Sequence, residues 1–89
     1  MGAKQLTYTV VLRAEPDGGY TVLVPVLPEI VTCGDAIEEA REAAREAIAL
    51  VIEDRMARGE EVPVETPDTV LRISPEDAGG PLILLRVTV

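Results

Sequence analysis

Carboxylates are the commonest potentially reactive groups in this sequence, and Glu38, Glu39, Glu42 and Glu46 crowd into one short stretch. Grouped acids can hold a divalent cation or exchange protons with a substrate. Their spacing points elsewhere. Glu38/Arg41, Glu42/Arg45 and Asp54/Arg58 stand three or four residues apart, the intervals at which side chains meet along a helix, so the stretch reads as a solvated helical face laced with ion pairs. The chain has no histidine and a single cysteine, Cys33, which removes imidazole bases and the usual zinc ligand sets. A thiol beside a helix start is sometimes activated, but Cys33 is expected to be buried as a small apolar residue. Gly18-Gly19 lacks the following helix and lysine of a phosphate-binding loop and reads as a turn. Strands one and two carry no acid at interior positions. No catalytic residue, metal site or cofactor is therefore expected, and the chain is not expected to be an enzyme.

The elements that position these residues follow from hydrophobic periodicity. Leu6, Tyr8, Val10 and Leu12 alternate with Thr7, Thr9, Val11 and Arg13, the pattern of a strand with one buried face. Glu15-Pro16-Asp17-Gly18-Gly19 is a turn signal, after which Tyr20, Val22 and Val24 resume the alternation, so a hairpin is expected, with Tyr8 and Tyr20 as possible cross-strand neighbours. Pro25-Val26-Leu27-Pro28 forces a turn or an edge, and Ile30 to Cys33 reads as a short third strand broken by Gly34. Asp35 is expected to cap a helix, with Glu38 reaching back to it. Ile37, Ala40, Ala44, Ala47, Ile48, Val51 and Ile52 form an apolar stripe from Ala36 to about Arg58, where Gly59 supplies a stop. Burial is expected to centre on Ile37, Ala44, Ile48 and Val51. Beyond a proline-punctuated connection, Val70 to Ile73 is a candidate short strand and Ser74 to Gly80 a loop. Leu82 to Val89 reads as a closing strand, apolar on both faces in its first half. The expected fold is α+β: a small, mostly antiparallel sheet in the order β-β-β-α-β, with one long helix packed on one face.

Composition bounds the function. With 89 residues there is room for one domain, 1–89, and for a core so small that self-association is a common remedy. The only aromatics are Tyr8 and Tyr20, so the core must be aliphatic. No apolar run approaches the roughly 20 residues of a membrane span, and the N-terminus lacks a signal-peptide stretch, so a cytoplasmic, membrane-free protein is expected. Sixteen acidic and eight basic residues give a net charge of −8, a field that repels phosphate backbones and attracts basic proteins. Direct nucleic-acid binding is not expected.

Several stretches together carry a more specific signal: Tyr8-Thr9-Val10-Val11-Leu12, Asp17-Gly18-Gly19-Tyr20-Thr21-Val22, Pro25-Val26-Leu27-Pro28, Thr32-Cys33-Gly34-Asp35 running into Glu38-Glu39-Ala40, and Ala47-Ile48 through Gly59 to Val62-Pro63. In this combination the chain resembles the HicB antitoxins. The resemblance implies an incomplete RNase H-like fold without nuclease function, which binds and neutralises a small basic HicA-type toxin that cleaves mRNA. Glu29 departs from the pattern, since family members commonly have glycine after the second proline. The sequence ends at Val89, where many HicB proteins continue into a DNA-binding segment, so operator binding is not carried over.

Charge and position single out Glu29, Asp35, Glu38 and Glu39 as candidate toxin contacts. Leu82, Ile83, Leu84, Leu85 and Val87 are the candidate interface of a homodimer or higher homo-oligomer, because one helix cannot cover both faces of such a strand. The alternative reading is an orphan homo-oligomeric scaffold or small-molecule sensor with no toxin partner.

Overall fold

The protein is described by a computed structural model in residues 5–66 and 81–89. Its elements are β1 (Thr7–Ala14), β2 (Tyr20–Leu23), β3 (Val31–Gly34), α1 (Ile37–Ala57) and β4 (Leu82–Thr88). The four strands form one antiparallel sheet in the order β3-β2-β1-β4. The β-β-β-α-β order expected from the sequence is thus observed. The expected strand at Val70 to Ile73 and loop at Ser74 to Gly80 lie outside the described residues.

Strand alternation sorts the sheet into two faces. Tyr8, Val10 and Leu12 of β1 point toward α1 and are fully buried, joined by Val22, Val24, Leu27, Ile30 and Val87. Register puts Thr32, Val22, Leu12 and Ile83 in one row across this face. The opposite face carries the parallel row Val31, Leu23, Val11 and Leu84. Its centre, Val11, is fully buried, whereas Val31 and Leu84 at the sheet edges are 67% and 66% exposed.

The β1–β2 connection closes with the Glu15 amide donating to the Gly19 carbonyl at 3.1 Å, while Gly18 and Gly19 take φ of 101° and 81°. These angles suit glycine and disfavour other residues. Glu15 also accepts from the Thr21 hydroxyl at 2.7 Å and from Arg13 Nε at 2.9 Å, and these bonds hold its carboxyl below the ordinary range. Tyr20 pairs with Ala14 and Tyr8 with Val87, so the two tyrosines are not cross-strand neighbours.

Between β2 and β3 the chain makes two successive turns, with Leu27 N–H bonded to Val24 O and Ile30 N–H to Leu27 O. The three residues that begin and end these turns are buried. Pro25 and Pro28 fall at the positions that follow the turn starts, where a preset φ favours the bend. Glu29 adopts no positive φ, so the glycine common at this place is not required here.

Gly34 belongs to β3 as the partner of Tyr20 and does not interrupt it. A Cβ on Gly34 would lie 2.5 Å from Ala40 N and 2.7 Å from Ala40 Cα, so only glycine lets β3 run this close to the helix backbone. That approach sets where α1 begins. The N-cap is Ala36, not Asp35, and it makes no side-chain cap bond; Glu39, rather than Glu38, reaches back, accepting from Asp35 N–H at 3.4 Å. Ala40, Ala44 and Ile48 form the buried stripe, with Ala47, Val51 and Ile52 half-buried against it. Ile37, expected at the centre of burial, is exposed, because it sits in the first turn where the helix has only begun to cross the sheet. At the other end Gly59, with φ of 71°, lets its own N–H reach Met56 O and that of Glu60 reach Arg55 O, closing the helix as expected.

Beyond α1 the chain returns to β1. The Tyr8 hydroxyl donates to Pro63 O at 2.6 Å, and the Glu65 carboxylate accepts from Thr9 N–H at 2.8 Å and from the Thr9 hydroxyl. β2 stops opposite Val11, so Glu65 takes up a β1 amide that no β2 residue pairs. The proximity of Glu65 and the burial of the ring both push the Tyr8 hydroxyl pKa up, burial more strongly.

Candidate partner-binding surface

Acidic side chains reach the surface of α1 because its apolar stripe is committed to the sheet. Arg41–Glu38 at 3.9 Å, Arg45–Glu42 at 4.0 Å and Arg58–Asp54 at 2.8 Å follow the expected helical spacing. All three pairs are exposed, so each contributes little stability and stays open to exchange with a partner's charges.

The four residues expected to contact a toxin do not form one cluster. Asp35, Glu38 and Glu39 lie together at the N-terminal end of α1 and are exposed. Glu29 lies at the far end, where Arg55 Nη2 and Nε donate to its carboxylate at 2.7 and 3.1 Å. Arg55 is about 24 Å along the helix axis from Glu39, at ~1.5 Å per residue. Glu29's own backbone N–H and then Arg55 hold its carboxyl below the ordinary value. Arg55 Nη1 also reaches Glu61 O at 3.4 Å, so this arginine ties the β2–β3 connection to the chain that leaves the helix. Sequence reading missed this clamp, which has no local signal.

The five β4 residues expected at an oligomer interface divide by face. Val87 is buried in the core of its own chain, and Ile83 and Leu85 pack half-buried against that core. Leu84 stands exposed on the opposite face, in register with Val11, and half-buried Leu82 is opposite Arg13. Among the described residues β4 is a sheet edge, a position whose outer backbone groups suit further strand pairing. Cys33, expected to be buried, is exposed, because register with Thr21 turns it away from α1 on the other edge strand.

Among the described residues no group of histidine, cysteine, aspartate or glutamate is arranged to hold a metal ion, and no helix is long and apolar enough to cross a membrane. Glu15, Glu29 and Glu65 are placed by contacts that serve the hairpin, the clamp and the β1 amide.

Comparison with known proteins agrees with this arrangement of a small antiparallel sheet and one helix. The chain is 45% identical over 58 residues to the UPF0150 protein ssr1765 of Synechocystis, covering 65% of this chain and 73% of that protein. It is 38% identical over 64 residues to antitoxin HicB 1 of Photorhabdus laumondii, covering 72% of this chain and 41% of the relative. To antitoxin HicB of Escherichia coli K12 it is 34% identical over 62 residues, covering 70% and 45%. The matched stretch thus spans less than half of either named HicB antitoxin. The N-terminal domain of the Burkholderia pseudomallei antitoxin HicB superposes with a TM-score of 0.66 at 30% identity, over 90% of this chain and 95% of that domain. A chain of a toxin–antitoxin complex from Streptococcus pneumoniae shares the fold, with a TM-score of 0.72 at 16% identity over 96% of this chain and 69% of that one. A family model described as the HicB-like antitoxin of bacterial toxin–antitoxin systems matches residues 8–89, and the chain belongs to that family.

Proposed function

We propose that this chain is a non-catalytic antitoxin domain that binds a small, basic, mRNA-cleaving toxin of the HicA type and neutralises it in the cytoplasm. The observation that carries the reading is family membership over residues 8–89, joined to an acidic helix whose ion pairs are exposed. The strand order and single crossing helix support treating the domain as an incomplete RNase H-like fold without nuclease function. Asp35, Glu38 and Glu39 act first, by steering: exposed acids at one end of a domain of charge −8 raise the rate at which a basic partner arrives. Glu29, already held by Arg55, contributes to the field and less to contact. The edge strand β4, with Leu84 exposed and Leu82 half-buried on its outer face, supports homo-oligomer formation.

Co-expression with a HicA-type toxin tests the reading. The expected result is a complex that co-purifies and intact mRNA in the cells. Cleaved mRNA together with an antitoxin chain that elutes alone would reject it. Light scattering of the isolated chain tests the oligomer, and a monomer at micromolar concentration would reject that part.

A further inference from the structure

The apolar stripe of α1 faces the sheet, yet two large apolar side chains of the helix, Leu50 and Met56, are 66% and 67% exposed. Met56 lies on the lip of a groove between the C-terminal half of α1 and the paired ends of the sheet. Leu6 and Val89 form the sheet wall, held to each other by reciprocal backbone bonds of 3.2 and 2.9 Å. Ala49, Ile52, Glu53 and Met56 form the helix wall. The groove offers about 320 Å³ and is more open than enclosed.

Size and shape limit the occupant. Small-ligand sites run from about 300 to 1,000 Å³ and enclose most of the ligand. A shallow groove at the bottom of that range suits one or two side chains projecting from a larger surface. Methionine on its lip adapts readily to a partner's shape.

Charge limits it further. Glu38, Glu42 and Asp54 each pair with a helix arginine, but among the described residues Glu53, on the groove wall, and Glu46, two turns earlier on the same side, have no ion-pair partner. A second copy docking by two-fold symmetry would set Glu53 and Glu46 against the same acids of its mate. A basic protein would neutralise them while its apolar side chain fills the groove.

We propose that this groove, formed by Leu6, Ala49, Ile52, Met56 and Val89 with Glu53 on its wall, seats an apolar side chain flanked by lysine or arginine on a basic protein partner. The proposal rests on the reading that the chain captures a basic toxin, and it separates two tasks. The acids at the helix start govern arrival, and the groove governs how long the partner stays.

The test is a titration of the isotope-labelled chain followed by NMR, with two probes: a catalytically inactive HicA-type toxin and a short amphipathic leucine–lysine peptide. The expected result is that signals of Leu6, Ala49, Ile52, Glu53, Met56 and Val89 move with either probe. Met56→Glu and Glu53→Lys should each weaken binding about tenfold through faster dissociation. Both positions face solvent, and circular dichroism confirms that the variants remain folded. Toxin binding with groove signals unmoved and both variants unaffected would overturn the proposal while leaving the antitoxin reading intact. Peptide binding in the groove by a chain that ignores the toxin would support the groove and reject the antitoxin reading. Movement of the same signals on concentrating the chain alone would assign the groove to a second copy and overturn the proposal.

Discussion

The two ends of α1 are built differently. At the C-terminal end Arg55 is clamped by Glu29 and Glu61 O, Gly59 closes the last turn, and the chain that follows is tied to β1 through Tyr8 and Thr9. At the N-terminal end no side chain caps the helix, and its acids stand in solvent with at most loose pairs. The N-terminal end is located by close packing, through Gly34 against Ala40, and the C-terminal end by polar bonds. An end held by backbone contact leaves Asp35, Glu38 and Glu39 in solvent to meet a partner, whereas the other end commits Glu29 to the fold.

The largest effect should come from the middle, which both ends share. Ile48 is fully buried, and Ile48→Ala should cost about 2–5 kcal/mol, loosening both ends equally in amide exchange. If exchange rose at one end only, the helix would not be acting as one unit. Gly34→Ala comes next, at about 1–3 kcal/mol, because the added methyl meets helix backbone that cannot rotate away. Its denaturation midpoint should fall, with faster exchange confined to β3 and the first turn of α1.

Tyr8→Phe breaks a tie of the other end by removing the donor to Pro63 O, for about 0.5–1.5 kcal/mol in chemical denaturation. Burial first, and Glu65 second, raise the folded pKa of Tyr8 above its ordinary value of 10.0. Its contribution is therefore complete below that value and is lost as pH rises through the folded pKa, a high-pH loss that the Phe variant should not show. Glu29→Gln should cost less, below about 1 kcal/mol, since the pair is partly exposed. The folded pKa of Glu29 is depressed below 4.5, so its contribution is complete above 4.5 and disappears as pH falls through the depressed value. Stability curves of wild type and Glu29→Gln should converge in acid; parallel curves would remove the clamp from the account. Smallest of all, Glu38→Gln with Glu39→Gln should change stability by no more than about 0.5 kcal/mol, while slowing association with a basic partner at low salt.

What the sequence made legible is what repeats locally. The alternation of Leu6, Tyr8, Val10 and Leu12, the Gly18-Gly19 turn, the Ala40-Ala44-Ile48 stripe and the Gly59 stop all reappear in place, because each depends on backbone period or on a residue's own φ preference. The helix start shifted by one residue because the approach of Gly34 to Ala40, a tertiary contact, outweighed the local capping signal at Asp35. Ile37 and Cys33 are exposed for a related reason: periodicity gives the face of an element, but not whether anything lies over that part of it. The contacts of Glu29 with Arg55, Tyr8 with Pro63 and Thr9 with Glu65 join residues far apart in sequence, and no spacing rule announces them. The candidate surface was legible in its charge but not in its layout, since Glu29 was grouped with acids that the length of α1 holds at its opposite end.

The central claim is that an acidic, non-catalytic domain captures a basic toxin. The most direct measurement is isothermal titration of the purified chain with an inactive HicA-type toxin at two salt concentrations. The account predicts a saturable complex whose affinity falls as salt rises, because the encounter is electrostatically complementary. The absence of binding at either salt concentration, or an affinity indifferent to salt, would contradict it.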